Sequence, residues 1–175
     1  MSRLKFAERL SGWPDIIPKT RLRGVKALGG RYEVAVAKQL GRDARKGVWW
    51  SYHDINGPGL CQTDFIILGE IWAVILECKH TWTAEGMEQL KDLYMPVVER
   101  ALDRRTLGIQ VCKHLVPHHT GPVYDVLEDA VNAARTGDFI EHSRFEFRSS
   151  RLVTLHWRGI GPMLKHAAVK EYVHG

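Results

Sequence analysis

The sequence predicts an α/β protein with a mixed central sheet flanked by helices, and three observations lead to this class. Two apolar, β-branched runs flank Gly69-Glu70 within residues 61–79, which predicts a β-hairpin. An amphipathic helical pattern precedes this hairpin, and a helical pattern followed by an apolar strand comes after it. A strand, a helix and a strand in this order normally form a right-handed crossover, so we expect the last strand to lie parallel to the strand before the helix.

The chain begins with a basic segment, residues 1–28, which is followed by a single predicted domain, residues 29–175, with its core at about 30–115. Two Pro-containing pairs, Trp13-Pro14 and Ile17-Pro18, interrupt the segment, and they predict a short helix followed by an extended stretch. Such a segment could lie along nucleic-acid phosphates, or it could be a solvated basic tail.

A helix is predicted over about 31–42, after Gly29-Gly30 and ending at Gly41. Glu33 falls on its apolar stripe with Val36 and Leu40. An acid there either faces a functional site or is favoured in the first turn by the helix dipole. Basic residues follow at helical spacing on another side, where they form either a phosphate-facing ridge or a solvated face: Arg31, Lys38, Arg42 and Arg45.

The hairpin follows a strand predicted at 47–53 and a loop predicted at 54–59. A two-residue type II′ turn at Gly69-Glu70 would set Leu68 opposite Ile71. In that register Asp64 is a diagonal neighbour of Glu77, and Gln62 and Lys79 lie on the same face.

Acids placed at the end of an apolar hairpin are costly unless something compensates their charge. Two neighbouring carboxylates repel each other unless a cation or a proton lies between them. Hard oxygen ligands favour Mg²⁺ or Mn²⁺, so Asp64 and Glu77 predict a metal site. The alternative is a Glu77–Lys79 ion pair at a strand end, with Asp64 unrelated to it.

The spacing of Thr63-Asp64 and Glu77-Cys78-Lys79 resembles the PD-(D/E)xK nuclease superfamily, with Thr63 where a Pro often precedes the Asp. The resemblance implies a restriction-endonuclease-like αβββαβ core. It also implies that Asp64, Glu77 and the backbone carbonyl of Cys78 hold Mg²⁺ or Mn²⁺. Glu33 matches the helical acid of the family, which joins the metal site, and Lys79 matches the catalytic lysine.

After the hairpin a helix is predicted over 84–95, and Pro96 either kinks it or begins its continuation to about 102. Gln89 and Tyr94 resemble the Gln-xxx-Tyr helix of some nucleases of this superfamily, but their spacing is one residue longer. Gln89 is therefore a supporting site candidate, and Tyr94 is given no role. Gln62 is a second supporting candidate because it shares the hairpin face of Asp64 and Glu77. A strand is predicted at 107–115.

The remaining residues are predicted to elaborate the core, and the resemblance does not cover them. Pro122 is expected to open a helix over 123–136. A second hairpin is predicted from residues 144–148 and 152–157, and a short terminal helix from 161–173.

Composition suits a nucleic-acid partner without requiring one. The 175 residues carry a net charge of +5, and no apolar run approaches the length needed to span a bilayer. Three cysteines without a signal peptide predict free thiols in a cytoplasmic protein. The resemblance implies a prokaryotic or phage-encoded protein. The resemblance implies a metal-dependent DNA endonuclease, acting as a homodimer if two strands are cut. A Holliday-junction resolvase and a catalytically inactive nucleic-acid-binding protein are the alternatives.

Overall fold

The computed structural model describes residues 4–10, 25–119, 121–136 and 151–165. Within these ranges, one mixed sheet has the strand order β1-β2-β3-β4-β5-β7-β6. Its strands are β1 Phe6–Arg9, β2 Ala44–Asp54, β3 Gly57–Leu68, β4 Trp72–Thr81, β5 Arg105–His114, β6 Val123–Tyr124 and β7 Leu152–His156. The helices are α1 Val25–Leu40, α2 Ala84–Gln89, α3 Met95–Leu102 and α4 Leu127–Thr136. The predicted α/β class with a mixed sheet is confirmed.

Helices cover both faces of the sheet, and each face has its own apolar core. Tyr32 and Val36 of α1 and Val131 of α4 belong to one cluster of buried side chains. Leu90 and Val98, from the helical segment after β4, belong to the other. Burial of such side chains is the main favourable term holding the layers together. The described helices include none that is both long enough and apolar enough to cross a membrane.

The first helix begins earlier than predicted, at Val25 rather than after Gly29-Gly30, and it ends at Leu40. Glycine costs about 1 kcal/mol per position in a helix, so the sequence alone favours a later start. Burial of Tyr32, Val36 and Leu40 against the sheet stabilises the helix despite the two glycines. A three-residue 3₁₀ turn, Gly41–Asp43, then leads directly into β2.

The N-terminal segment also differs from its prediction, because Phe6–Arg9 forms a strand and no helix. β1 pairs antiparallel with β2, with Phe6 opposite His53. The predicted extended stretch, residues 11–24, lies outside the described residues. The predicted loop at 54–59 is a tight hairpin, in which Asp54 pairs with Gly57. Gly57 has a φ of 110°, a conformation that glycine adopts without strain.

The β3–β4 hairpin forms as predicted, but its register is shifted by two residues. Leu68 pairs with Ala73 rather than lying opposite Ile71. A type II′ turn needs a positive φ at Gly69, and Gly69 does not adopt one. The connection is wider instead, and the Gly69 amide donates to the Trp72 carbonyl at 2.8 Å. Because the shift is even, every side chain keeps its predicted face.

The sheet divides at the end of the β3–β4 ladder that lies away from its turn. β3 and β4 pair at four positions, from Leu68–Ala73 to Phe65–Leu76. β3 then follows β2 as far as the Asp54–Gly57 turn, whereas β4 follows β5 in parallel as far as Thr81 and His114. We call this divergence, which opens at Asp64 and Glu77, the fork.

The helical segment after β4 continues through Pro96 to Leu102. This matches the predicted alternative in which Pro96 begins a continuation of the helix. A π-helical turn at Leu90–Tyr94 separates α2 from α3. β5 lies parallel to β4, which confirms the predicted parallel pairing.

The C-terminal elaboration departs from its prediction. Helix α4 begins at Leu127, and Val123–Tyr124 is a short strand that pairs with β7. Pairing to β7 competes with the helical pattern that the sequence shows at 123–126. β7 is the predicted second arm of the C-terminal hairpin, but it pairs in parallel with β5 and β6, and the first arm at 144–148 lies outside the described residues. Residues 161–165 are not helical, and the rest of the predicted terminal helix lies outside the described residues.

Candidate active site at the fork

The fork brings Asp64 and Glu77 together at the point where β3 and β4 separate. Extending the observed register by one pair beyond Phe65–Leu76 sets Asp64 opposite Glu77. The strands begin to separate at this level, but the two carboxyl groups still interact, because the charge of Glu77, after burial, contributes to the raised pKa of Asp64. On the β2 side, Gly47 is the residue across from Asp64, and it has a φ of 63°.

The Asp64 carboxyl is partly buried and carries a strongly perturbed pKa. Burial and the charge of Glu77 raise the pKa of Asp64 from 3.8 to about 7. Two interactions oppose the rise: Asp64 Oδ2 accepts a hydrogen bond of 2.8 Å from the Cys78 backbone amide, and the positive charge of Lys79 acts in the same direction. Asp64 thus exchanges its proton near neutral pH, as groups at functional sites often do.

Glu77 is the more deeply buried acid, with 6% of its side chain exposed. Burial raises its pKa, and the hydrogen bond and charge of Lys79 counteract that effect. Lys79 Nζ lies 2.7 Å from Glu77 Oε1. Glu77 Oε2 is buried and has no hydrogen-bond partner among the described residues. A buried carboxylate oxygen without a partner is costly, and a cation at this point would compensate it.

Lys79 remains charged despite its partial burial. Burial lowers the pKa of Lys79, but the hydrogen bond and charge of Glu77 outweigh this and the pKa is raised overall. Gln89 Oε1 accepts a second hydrogen bond from Lys79 Nζ at 3.4 Å. Gln89, which the sequence offered as a supporting residue, therefore lies beside Lys79.

The start of α2 is fixed by a fully buried glutamine that the sequence did not single out. Gln110 Oε1 accepts from the Thr83 amide, and Gln110 Nε2 donates to the Thr83 carbonyl, both at 2.8 Å. Thr83 caps α2 by accepting from the Gly86 amide at 3.0 Å. A Cβ at Gly86 would lie 2.6 Å from Gln110 Nε2 and 3.1 Å from Lys79 Cε. The close approach of α2 to β4 and β5 therefore requires glycine, and it positions Gln89 beside Lys79.

The π-helical turn places Tyr94 near the acids. Burial and the charges of Glu77 and Asp64 raise the pKa of Tyr94. A π-helical turn accommodates one residue more than an α-helical turn, and such turns are frequent at functional sites. The turn therefore accounts for the extra residue between Gln89 and Tyr94, which the sequence analysis took as a reason to give Tyr94 no role. Its spacing to Gln89 was the available signal.

Glu33 approaches the fork from α1 on the other side of the sheet. Its charge raises the pKa of Asp64, of Glu77 and of Cys78, so it acts on the whole site. Its carboxylate forms an ion pair with Lys46 on β2, in which Glu33 Oε1 lies 3.2 Å from Lys46 Nζ. Lys46 is not among the residues predicted from the sequence. Lys46 is the residue before Gly47.

Gln62, the other predicted supporting residue, does not contact the acids. Its Nε2 donates to the Gly47 carbonyl at 3.1 Å, so it holds β2 against β3 beside the fork. The four predicted DNA-binding residues, Arg31, Lys38, Arg42 and Arg45, are all exposed on α1, the 3₁₀ turn and the start of β2. Exposure fits both a phosphate-facing ridge and a solvated face.

Asp64, Glu77 and the Cys78 backbone fit a divalent cation by the chemistry of their donors. The two carboxylates are opposed at the fork, one has a pKa of about 7, and the other has a buried oxygen without a partner. Glu33 is not placed as a third metal ligand in this conformation. Across the described parts of the chain, no three His, Cys, Asp or Glu side chains are arranged to hold one metal ion. The predicted free thiols are consistent with Cys61, Cys78 and Cys112, none of which forms a disulfide.

Comparisons with protein-family models, with curated proteins and with solved structures give no match for this chain. Any function proposed for it therefore depends on the residues at the fork.

Proposed function

We propose that the chain is a metal-dependent DNA nuclease whose α1, β2–β4, α2–α3 and β5 form a restriction-endonuclease-like core of the PD-(D/E)xK type. The observation that carries the proposal is the opposed pair of Asp64 and Glu77 at the fork, with Lys79 Nζ 2.7 Å from Glu77. Two carboxylates and a lysine at one opening of a sheet can bind a cation and a phosphodiester together. The net charge of +5 supports a polyanionic substrate.

In this proposal Asp64, Glu77 and the Cys78 carbonyl hold Mg²⁺ or Mn²⁺. When bound, the ion supplies Lewis acidity toward the scissile phosphate and a water of lowered pKa. Lys79 stabilises the negative charge that develops on the phosphate, and Gln89 orients its ammonium group. Because Asp64 has a pKa of about 7, it loses its proton as the site takes up a cation. The exposed basic residues of α1 and β2 hold the phosphate backbone.

The substrate structure is an expectation within this proposal. The early helical acid and the Asp-to-Glu spacing favour a Holliday junction, and cleavage of two strands would require a homodimer. A flap, a duplex end and a single strand are the competing substrates.

The decisive assay incubates purified protein with labelled junction, flap, duplex and single-stranded DNA. We expect cleavage with Mg²⁺ or Mn²⁺, none in excess EDTA, and binding without turnover in Ca²⁺. Asp64→Asn is expected to abolish cleavage, whereas Asp129→Asn, which alters an exposed acid of α4, keeps the parental rate. Undiminished cleavage in EDTA would disprove the metal mechanism.

The second candidate is a nucleic-acid-binding protein of the same fold without catalysis. The observation that favours it is the Glu77–Lys79 ion pair, because an ion pair alone already compensates the charge of this buried acid. Such a protein would bind DNA in a salt-dependent way and show no cleavage with any divalent metal. The same assay distinguishes it from the nuclease, since binding and cleavage are measured separately.

A further inference from the structure

Lys46 lies where the site meets solvent, and nothing in the predicted mechanism uses it. It pairs with Phe65 on β3, one position before the Gly47–Asp64 level at which the fork opens. Its side chain is 51% exposed, and its Nζ is bound to Glu33 at 3.2 Å. Lys46 is therefore a solvent-accessible cation at the rim of the candidate metal site.

The three acids of the site have different partners. Glu77 is paired with Lys79 inside the fork, Asp64 accepts from a backbone amide, and Glu33 is paired with Lys46 at the rim. The carboxylate of Glu33 is thus engaged by an ammonium group at the level where a third metal ligand would be expected. In the described residues no three side chains converge on one ion, so Glu33 would have to leave Lys46 to join Asp64 and Glu77.

The two lysines also differ in how easily they can change partner. Lys79 is 29% exposed and has Gln89 as a second hydrogen-bond acceptor. Lys46 is half exposed, so its ammonium group is accessible from solvent. An exposed ion pair contributes about 0.2–1 kcal/mol, so a phosphate can compete for the lysine. Of the two ion pairs, Glu33–Lys46 is therefore the one that a substrate phosphate can displace more easily than Glu77–Lys79.

We propose that Lys46 exchanges partners, from the Glu33 carboxylate in the free protein to a DNA phosphate in the complex, and that this exchange releases Glu33 toward the metal ion. The inference rests on the proposed nuclease function and adds a positioning residue to it. DNA and metal then bind cooperatively, because each removes a competitor of the other. In the absence of DNA, Lys46 lowers the affinity of the site for metal.

The test is calorimetric titration with Ca²⁺ in the absence of DNA, which measures metal affinity without turnover. Lys46→Met is expected to bind Ca²⁺ about two- to fivefold more tightly than the parental protein, the worth of one exposed ion pair. Lys165→Met is the matched control, because Lys165 forms an exposed ion pair with Asp129, and it is expected to leave the affinity unchanged.

Loss of a positive charge would favour a cation even without any exchange, so the test includes Glu33→Gln. In the Glu33→Gln background the exchange predicts no gain from Lys46→Met, whereas a general field effect predicts the same gain as before. Adding a short DNA duplex should raise the Ca²⁺ affinity of the parental protein and have little effect on Lys46→Met.

The outcomes separate this inference from the proposed function. Parental protein that binds Ca²⁺ with an affinity unaffected by Lys46→Met would overturn the exchange and leave the metal site standing. A gain that persists in the Glu33→Gln background would also overturn it. If neither the parental protein nor any variant binds a divalent cation, the proposed function fails and the exchange fails with it.

Discussion

The perturbed pKa of Asp64 predicts that Asp64→Asn makes the folded protein more stable at neutral and alkaline pH. The unfolded chain loses this proton near pH 3.8, whereas the folded protein retains it until about pH 7. Between these values the folded state binds more protons than the unfolded state, so the contribution of Asp64 to the free energy of unfolding falls as the pH rises. Below pH 3.8 the penalty is absent, and above pH 7 it is fully present.

The magnitude follows from the difference between the two pKa values, which is about 3 pH units. Each unit corresponds to about 1.4 kcal/mol, so the penalty above pH 7 is at most about 4 kcal/mol. Access of solvent to the partly exposed carboxyl reduces it, and we expect a gain of about 2 kcal/mol or more at pH 8. Asparagine retains an acceptor for the Cys78 amide, so the substitution removes the charge and keeps the hydrogen bond.

Denaturant unfolding of the parental protein and Asp64→Asn, in EDTA between pH 4 and 8.5, measures this contribution. The difference in the free energy of unfolding should be near zero at pH 4 and grow to its full value by pH 8. Saturating Mg²⁺ should stabilise the parental protein and not the variant, because it binds only the folded parental site. Asp129→Asn, a change in an exposed acid, is expected to stay within about 0.5 kcal/mol throughout. A variant that is equally or less stable at pH 8 would refute the reasoning.

Three further predictions concern the groups around the acids. Lys79→Ala should reduce the cleavage rate by about two orders of magnitude or more, with a much smaller loss of DNA affinity. A variant with a lower melting temperature but the parental cleavage rate per folded molecule would show that Lys79 has no role in catalysis. Glu33→Gln should reduce turnover while the thermal midpoint changes little, since the ion pair of Glu33 with Lys46 is partly exposed to solvent. An unchanged cleavage rate would mean that Glu33 serves only the helix dipole. Gln110→Ala should lower the free energy of unfolding by about 2–4 kcal/mol, because it leaves both backbone groups of Thr83 without their partner. A loss below about 1 kcal/mol in denaturant unfolding would mean that water replaces the Gln110 side chain as that partner.

The elements nearest the candidate site were predictable because their signals are local. The β3–β4 hairpin follows from two β-branched runs around a Gly-X pair, and side-chain alternation then places Asp64, Glu77 and Lys79 on one face. The face survived the error in register because the shift of two residues is even. Parallel pairing of β5 followed from the handedness of the crossover.

Other features depend on contacts that a sequence pattern does not contain. The type II′ turn at Gly69-Glu70 was expected from composition, but the wider connection pairs Leu68 with Ala73. The early start of α1 depends on burial of Tyr32, which outweighs the low propensity of two glycines.

The residues that surround the acids could not be predicted from the sequence for the same reason. Lys46 and Gln110 act through partners 13 and 27 residues away in the chain, Glu33 and Thr83, and no spacing rule connects them. Tyr94 was set aside because an α-helical spacing was assumed, and the π-helical turn changes that spacing.

The fork also affects how the folded protein behaves toward other copies of itself. Where β3 and β4 separate, each strand presents an edge inside the sheet, and an edge with free backbone groups can pair with a strand of another chain. Asp64, Glu77 and Lys79 stand at the start of these edges, and charges there oppose such pairing. We therefore expect these charges to oppose pairing with a second copy at the same time as the Asp64 carboxylate reduces stability. Variants that neutralise them gain free energy of unfolding and lose a safeguard against aggregation, so these two properties should move in opposite directions at this site.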